Sequence, residues 1–328
     1  MGYTPLITVL GASGFVGSAV TRALASRPVR LRLVSRRPCV PSPGPAETDV
    51  VTADLTDRAA LAGAVHGSDA VIHLLLGEGG WRAAESDPGA EHVNVGVMRD
   101  LVDVLRPAPG DATPPLVVYA GAASQVGVPP REPLDGSEPD RPGTAYDRQK
   151  LTAEHLLLKA TAEGRVRGIG LRLPTVFGES TAPGAGDRGV VSAMARRALD
   201  GQTLTMWHDG TVRRDLVHVD DVAAAFTAAL DHPDALVGGR WLIGAGRGDA
   251  LGDVFRLIAL TAADVLGRPP VDVVSVEPPA HAPVTDFRSV TLDSSAFRAA
   301  TGWRPRISLP EAVRRTVTAL ARERAASR

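Results

Sequence analysis

Residues 145–156 read AYDRQKLTAEHL. Tyr146 and Lys150 stand at i and i+4, so a helix would set them a turn apart on one face. The chain has three tyrosines, and its only lysines are Lys150 and Lys159, so the pair is not a by-product of composition. A phenol titrates near pH 10 on its own. A neighbouring ammonium favours the phenolate and is expected to lower that value. A tyrosine tuned this way can pass a proton to or from an alcohol or sugar oxygen. The ammonium can also donate to a ribose.

A second candidate lies near the start. Gly11-Ala12-Ser13-Gly14-Phe15-Val16-Gly17 sits between an apolar run, LITVL at 6–10, and a stretch with helical spacing in which Val16, Val20 and Leu24 share a face. Glycine lets the backbone approach a pyrophosphate, whose charge then meets the free N–H groups of the following helix. Phe15 and Val16 would pack that helix down. A plain tight turn is the alternative.

The end of the next strand would choose the dinucleotide. An NAD site offers an acidic residue there, about 20 residues past the glycines, for the ribose 2′-OH. This chain offers Ser35-Arg36-Arg37. Two guanidiniums and a hydroxyl suit a 2′-phosphate, so NADP(H) is expected. A solvated arginine pair is the alternative. Asp54, at the end of the third strand, could accept from an adenine amino group or simply make a turn. Leu55 beside it and Leu74 at the fourth strand are further candidate cofactor contacts.

These residues need a frame. Apolar runs at 6–10, 29–35, 49–55, 69–76, 114–124 and 167–178 alternate with helical stretches, among them 92–105. Such alternation predicts an α/β fold, a doubly wound parallel (Rossmann) sheet with helices on both faces. Residues 213–231 read as strand into helix and 239–246 as a further strand. A smaller, mixed α/β substrate-binding lobe is expected from about 176–212 and 248–328, with the dinucleotide domain at 1–175 plus about 213–247. The Pro-rich stretches at 41–47 and 129–143 read as surface loops, and there is no internal repeat.

The 328 residues are ample for a buried core, with 44% hydrophobic and 22% charged residues. A net charge of −1 points away from nucleic acid and anionic membranes as general partners. Cys39 is the only cysteine, which excludes an internal disulfide and a cysteine metal site. No run reaches the roughly 18 apolar residues of a membrane span. The start lacks a basic n-region, and Leu6 stands where a myristoylation motif needs Ser or Thr. A cytoplasmic location is expected, and no metal.

The segments GASGFVG, YDRQK, LRLPTVFG, RRDLVHVDDVA and TGWRP occur in the order and spacing of the extended short-chain dehydrogenase/reductases. Essentially the whole chain resembles that family. Longer stretches, including SDPGAEHVNVGVMRDLV, are similar to its nucleotide-sugar branch and, within it, to 4-ketoreductases of dTDP-deoxyhexose biosynthesis in actinomycete antibiotic pathways.

The resemblance implies roles. Tyr146 and Lys150 would be catalytic. Pro174, Thr175 and Val176 would lie near the nicotinamide carboxamide. The family places a Ser or Thr shortly after the fifth strand to bind the reacting oxygen. Counted from Tyr119, that place falls on Ala122, which has no hydroxyl. Either Ser124 serves instead or Tyr146 acts alone, and losing one donor to a developing oxyanion costs about 3 kcal/mol. Arg214 and Arg288 would grip the substrate pyrophosphate, although each could be an ordinary ion-pair partner. Gly189, Val190 and Val191 would cover the nucleotide base, flanked by Trp207 and His208. Asn94 would stand among the substrate residues and support the scaffold. Many relatives are homodimers through the Tyr–Lys helix.

The expectation is NADPH-dependent reduction of the C4 ketone of a dTDP-4-keto-6-deoxyhexose. Its nearest rival is an NAD-dependent nucleotide-sugar epimerase. A dehydratase would need carboxylates in the loop Ala122-Ala123-Ser124-Gln125, which has none. A non-catalytic NADP-sensing protein and a reductase of hydrophobic ketones are the other rivals.

Overall fold

A computed structural model describes residues 4–81, 83–105, 113–180, 186–278 and 284–326. At its centre is a seven-stranded sheet in the order β11-β6-β5-β4-β1-β2-β3. The strands are β1 (Leu6–Leu10), β2 (Arg30–Ser35), β3 (Glu47–Thr52), β4 (Ala70–His73), β5 (Leu116–Ala122), β6 (Arg167–Leu173) and β11 (Arg240–Leu242). Every neighbouring pair runs parallel. All five residues of β1 and all seven of β5 are buried, which is why they read as unbroken apolar runs.

Helices cover both faces. Against one lie α1 (Phe15–Ala25) and α7 (Val219–Asp231), and on the other α2 (Arg58–Val65), α4 (Val97–Val104) and α5 (Ala145–Ala162). A third core joins α6 (Val190–Leu199), α9 (Leu251–Leu266) and α11 (Leu309–Ala326). The strand pair β8 (Leu204–Trp207) and β13 (Val273–Val276) flanks it. Short helices α3 (Pro88–Glu91) and α8 (Pro233–Leu236) connect larger elements. Helix α10 (Ser295–Thr301) returns to the first core, where Phe297 and Trp303 are buried.

Four elements differ from the sequence reading. The fourth strand stops at His73 rather than at residue 76. Beyond it the backbone is satisfied by side chains: Lys150 Nζ donates to the Leu75 carbonyl, and Asn94 Oδ1 accepts from Gly77 N–H. The helix expected over 92–105 begins as a π-turn, His92–Gly96, before α4 takes over. Asn94 sits in that turn, where one extra residue re-aims a side chain. The fifth strand runs three residues past Tyr119, and Gly121 in that extension lies so close that a Cβ would come within 3.1 Å of Gln125 Oε1 and 3.3 Å of Glu154 Oε2. Pro174 ends β6, and β7 (Thr175–Phe177) leaves the sheet to pair with β10 (Leu216–His218).

Candidate active site

The glycine loop lies where the strand order reverses, between β4 and β2 on either side of β1. Gly11 has φ +89°, and the Gly11 and Ala12 amides donate to the Val34 carbonyl. A Cβ on Gly17 would come within 2.0 Å of the Gly11 carbonyl oxygen, so the helix packs on its own loop only with glycine there. Gly14 caps α1 without a side-chain bond, and no acidic residue occupies the first turn. The first turn of α1 thus has no side-chain cap and no acid, an arrangement that suits an anion. Ser13, Phe15 and Val16 are partly exposed around it.

At the end of β2, Arg36 and Arg37 are exposed. Arg36 meets Glu78 at 3.1 Å, an exposed pair worth at most about 1 kcal/mol, so its guanidinium is easily diverted. Ser35 differs from expectation. It is buried, and its hydroxyl donates to the Arg37 carbonyl at 2.6 Å. Its only hydrogen is spent shaping the turn that projects the arginines. Asp54 makes the plainer of its two expected structures. Thr56 donates to its Oδ1 from both amide and hydroxyl, which holds the carboxyl below its ordinary value, with Arg36 adding to the effect. Leu55 is buried, its side chain packed in the second core. Leu74 is partly buried against the first core.

Helix α5 carries the Tyr–Lys pair. Thr144 starts it, accepting from the Asp147 amide at 3.1 Å. Lys150 is buried, its Nζ donating to the Ala120 carbonyl at 3.0 Å and lying 5.0 Å from the Tyr119 ring centre and 5.9 Å from that of Tyr146. Burial pulls the ammonium down to about 8. The expected lowering of the phenol is overturned. Burial, and secondly the Asp147 carboxylate, hold Tyr146 above its ordinary value. Lys150 places its charge over the ring, while desolvation decides the sign. Next to them His73 is fully buried, edge-on to Tyr119 at 5.4 Å, and neither ring nitrogen has a partner. Burial and the Lys150 charge drop its imidazole to about 3.

Ala122 closes β5 with its amide on Gln125 Oε1 at 2.7 Å. Ser124 is exposed, and its hydroxyl donates to Asp147 Oδ1 at 2.5 Å. Asp147 was not singled out in the sequence. The Thr-x-x-acid spacing from Thr144 was the available signal, and Thr144 also donates to Asp147 Oδ2.

Among the substrate candidates, Asn94 is 1% exposed and joins the Gly77 amide to Gln149 Oε1. It braces the loop after β4 against α5. Gly189 and Val190 begin α6, but Asp187 already accepts from the Gly189 amide and from Ser192. Val191 is buried in the third core. Trp207 and His208 gather around Phe287, at 5.7 and 5.5 Å between ring centres. Phe287 was missed in the sequence. Arg214 and Arg288 do come together, in an unforeseen way: Arg214 donates to the carbonyls of Arg213, Asp286 and Arg288. The Arg288 side chain is exposed. Pro174, Thr175 and Val176 are partly exposed at the end of β6.

Glu179, His218 and Asp220 also converge, close enough to share a cation. Arg315 already pairs with both carboxylates and Arg22 with Asp220, so these acids are compensated by arginine.

Comparison with known proteins agrees with this fold. A profile described as the NAD dependent epimerase/dehydratase family matches residues 7–244. A dTDP-L-rhamnose 4-epimerase of Burkholderia thailandensis is 27% identical, covering 97% of this chain and 95% of its own. A dTDP-6-deoxy-L-talose 4-dehydrogenase (NAD(P)(+)) of Kitasatospora kifunensis is 29% identical, covering 95% of each. The solved structure of MoeE5 in complex with UDP-glucose and NAD is similar with a TM-score of 0.79 and 25% identity, covering 97% of this chain and 99% of that one. The Thermotoga maritima UDP-glucose 4-epimerase, at 22% identity and a TM-score of 0.80, shares the fold over 97% of this chain and 99% of its own.

Proposed function

The chain belongs to the NAD dependent epimerase/dehydratase family, and from that premise we propose that it reduces the C4 ketone of a dTDP-4-keto-6-deoxyhexose with NADPH. Membership makes it an oxidoreductase- or epimerase-type enzyme with an NAD(P) cofactor. The relatives that act on dTDP-linked 6-deoxysugars support the substrate class. The observation that carries the choice of NADPH is the exposed Arg36–Arg37 pair at the end of β2, where an NAD site would hold an acid.

On this reading the dinucleotide lies on residues 1–175 and about 213–247, and the sugar nucleotide meets 176–212 and 248–328. The glycine loop and the start of α1 would hold the pyrophosphate of the cofactor. The bound nicotinamide supplies the hydride. Tyr146, held protonated by burial, gives its proton to the emerging alkoxide. Lys150 orients the ribose and keeps a positive charge over the Tyr146 ring, stabilising the phenolate left behind. No residue role here needs a metal.

Epimerisation is the second reading, because an epimerase and a dehydrogenase of dTDP-sugars are similar to this chain at nearly equal identity. The test is cofactor titration followed by turnover with a panel of dTDP-4-keto sugars and NMR of the product. NADPH is expected to bind at least ~10-fold tighter than NADH, and Arg36→Ser with Arg37→Ser to erase that preference. NADPH loss should match product one to one. Interconversion of C4 epimers by tightly held NAD⁺, with no net consumption, would establish the epimerase instead.

A further inference from the structure

An ion pair crosses the crevice where the strand order reverses. Arg36 follows the last residue of β2, and Glu78 lies in the loop that leaves β4. Strands β2 and β4 flank β1 on opposite sides, so their loops leave the sheet on either side of the glycine loop. The exit from β4 abuts that loop. The Leu74 amide donates to the Leu10 carbonyl at 3.0 Å, and a Cβ on Gly11 would come within 3.2 Å of the Leu74 carbonyl oxygen. Arg36 Nη2 meets Glu78 Oε1 at 3.1 Å, so this contact spans from one flank to the other across the end of β1.

The backbone around Glu78 is held in place. The Gly77 amide donates to Asn94 Oδ1 at 3.0 Å, and the Gly80 amide donates to the Gly77 carbonyl at 3.2 Å. Glu78 is thus the second residue of a closed turn. Gly79 follows at φ +77°, a left-handed value that suits the third position of such a turn. The Glu78 side chain is 78% exposed and that of Arg36 53%, so both heads stay open to a ligand. The acid missing from the end of β2 therefore arrives from the opposite flank.

We propose that Glu78 is a specificity-determining residue for the cofactor: it competes with a ribose 2′-phosphate for Arg36 and offers its carboxylate to a free ribose 2′-OH. This rests on the proposed reading of Arg36 and Arg37 as a 2′-phosphate site. A phosphate takes the edge of a guanidinium through paired N–H···O bonds. It carries close to two negative charges near neutral pH and repels a carboxylate held on the same cation. Glu78 must give up Arg36 for NADPH to bind. A ribose with a free hydroxyl asks for no such exchange, because the hydroxyl donates to the Glu78 carboxylate while Arg36 stays paired. Glu78 thus narrows the preference for NADPH that the two arginines set.

The experiment titrates NADPH and NADH by fluorescence into the full chain as wild type, Glu78→Gln, Arg36→Ser and the double variant. Glutamine keeps the length of the side chain and removes its charge, at a position exposed enough to spare the fold. Glu78→Gln is expected to tighten NADPH about 3–5-fold and to weaken NADH about 2–3-fold, widening the ratio roughly tenfold. In the Arg36→Ser background the gain in NADPH affinity should shrink below ~1.5-fold, because the contested cation is gone. The gain should also fade between ~0.05 and ~0.5 M salt. Unchanged NADPH affinity in Glu78→Gln, or an equal gain with and without Arg36, overturns the competition while leaving the NADPH preference standing. A wild type that binds NADH more tightly, with Arg36→Ser leaving NADPH affinity unchanged, overturns both.

Discussion

One turn apart on α5, Lys150 and Glu154 are both buried, and they are treated in opposite ways. Glu154 takes two bonds from Arg172, at 2.5 and 3.0 Å, and Arg172 grips Asp140 with its other edge at 2.6 and 2.9 Å. Arg240 adds a second cation to Asp140 at 3.2 Å. Two carboxylates meet two guanidiniums, and those partners outweigh burial to hold Arg172 firmly charged. Lys150 meets carbonyls and rings, and desolvation pulls it down to about 8. The balanced cluster ties β6, α5, β11 and the 129–143 loop together. The unbalanced one sits under the candidate proton donor. A fold that only needed stability would have treated both positions alike, so the contrast separates scaffold from chemistry.

Three substitutions probe that contrast. Glu154→Gln leaves a guanidinium buried against a half-filled partner. It should lower stability by about 3–5 kcal/mol, read by urea unfolding followed by circular dichroism. A loss under ~1 kcal/mol would show that the cluster is not the scaffold described. Lys150→Met should do the reverse, gaining about 2 kcal/mol at pH 6 while abolishing turnover. The sign follows from the lowered ammonium: the folded state resists a proton that the unfolded chain binds up to its ordinary value of 10.5. The penalty is therefore full below about 8, and the advantage of Met should shrink as pH rises from 8 to 10.5. His73→Phe keeps the edge-on contact with Tyr119 and removes a group that stays neutral down to about 3 in the fold but charges near 6.5 in the unfolded chain. It should gain about 2 kcal/mol at pH 5 and nothing at pH 8, seen as a Tm difference that closes as pH rises through 6.5.

The parts legible in the sequence were those whose cause is local. LITVL followed by a glycine loop and a helix needs only the strand period, the φ of Gly11 and the missing Cβ of Gly17. The Tyr–Lys spacing needs only a helix. What could not be read depended on partners far along the chain. Ser35 spends its hydrogen on a carbonyl two residues away, but whether it does so rather than reach a ligand is set by its burial under the sheet edge. Arg214 read as a pyrophosphate grip or an ion-pair partner, and its bonds to carbonyls were hidden because two of those partners lie more than 70 positions on. Asp147 was hidden because its partner Ser124 arrives from another strand end. The sign of the Tyr146 shift failed for a related reason: spacing reveals the nearby charge, and only packing reveals the desolvation that outweighs it.

The route of the backbone carries a final consequence. Phe177 and α6 belong to the third core, Val217 and α7 to the first, α9 to the third again, then Phe297 to the first and Val313 to the third. Strand β11 re-enters the sheet beside β6 in the middle of this weaving. Neither the first nor the third core is thus built from a continuous stretch that could be excised. A fragment ending near residue 175 would lack both α7, which covers α1, and the strand that shields the β6 edge. A single protease nick beside the third core would leave the two halves basted together like cloth by a running stitch.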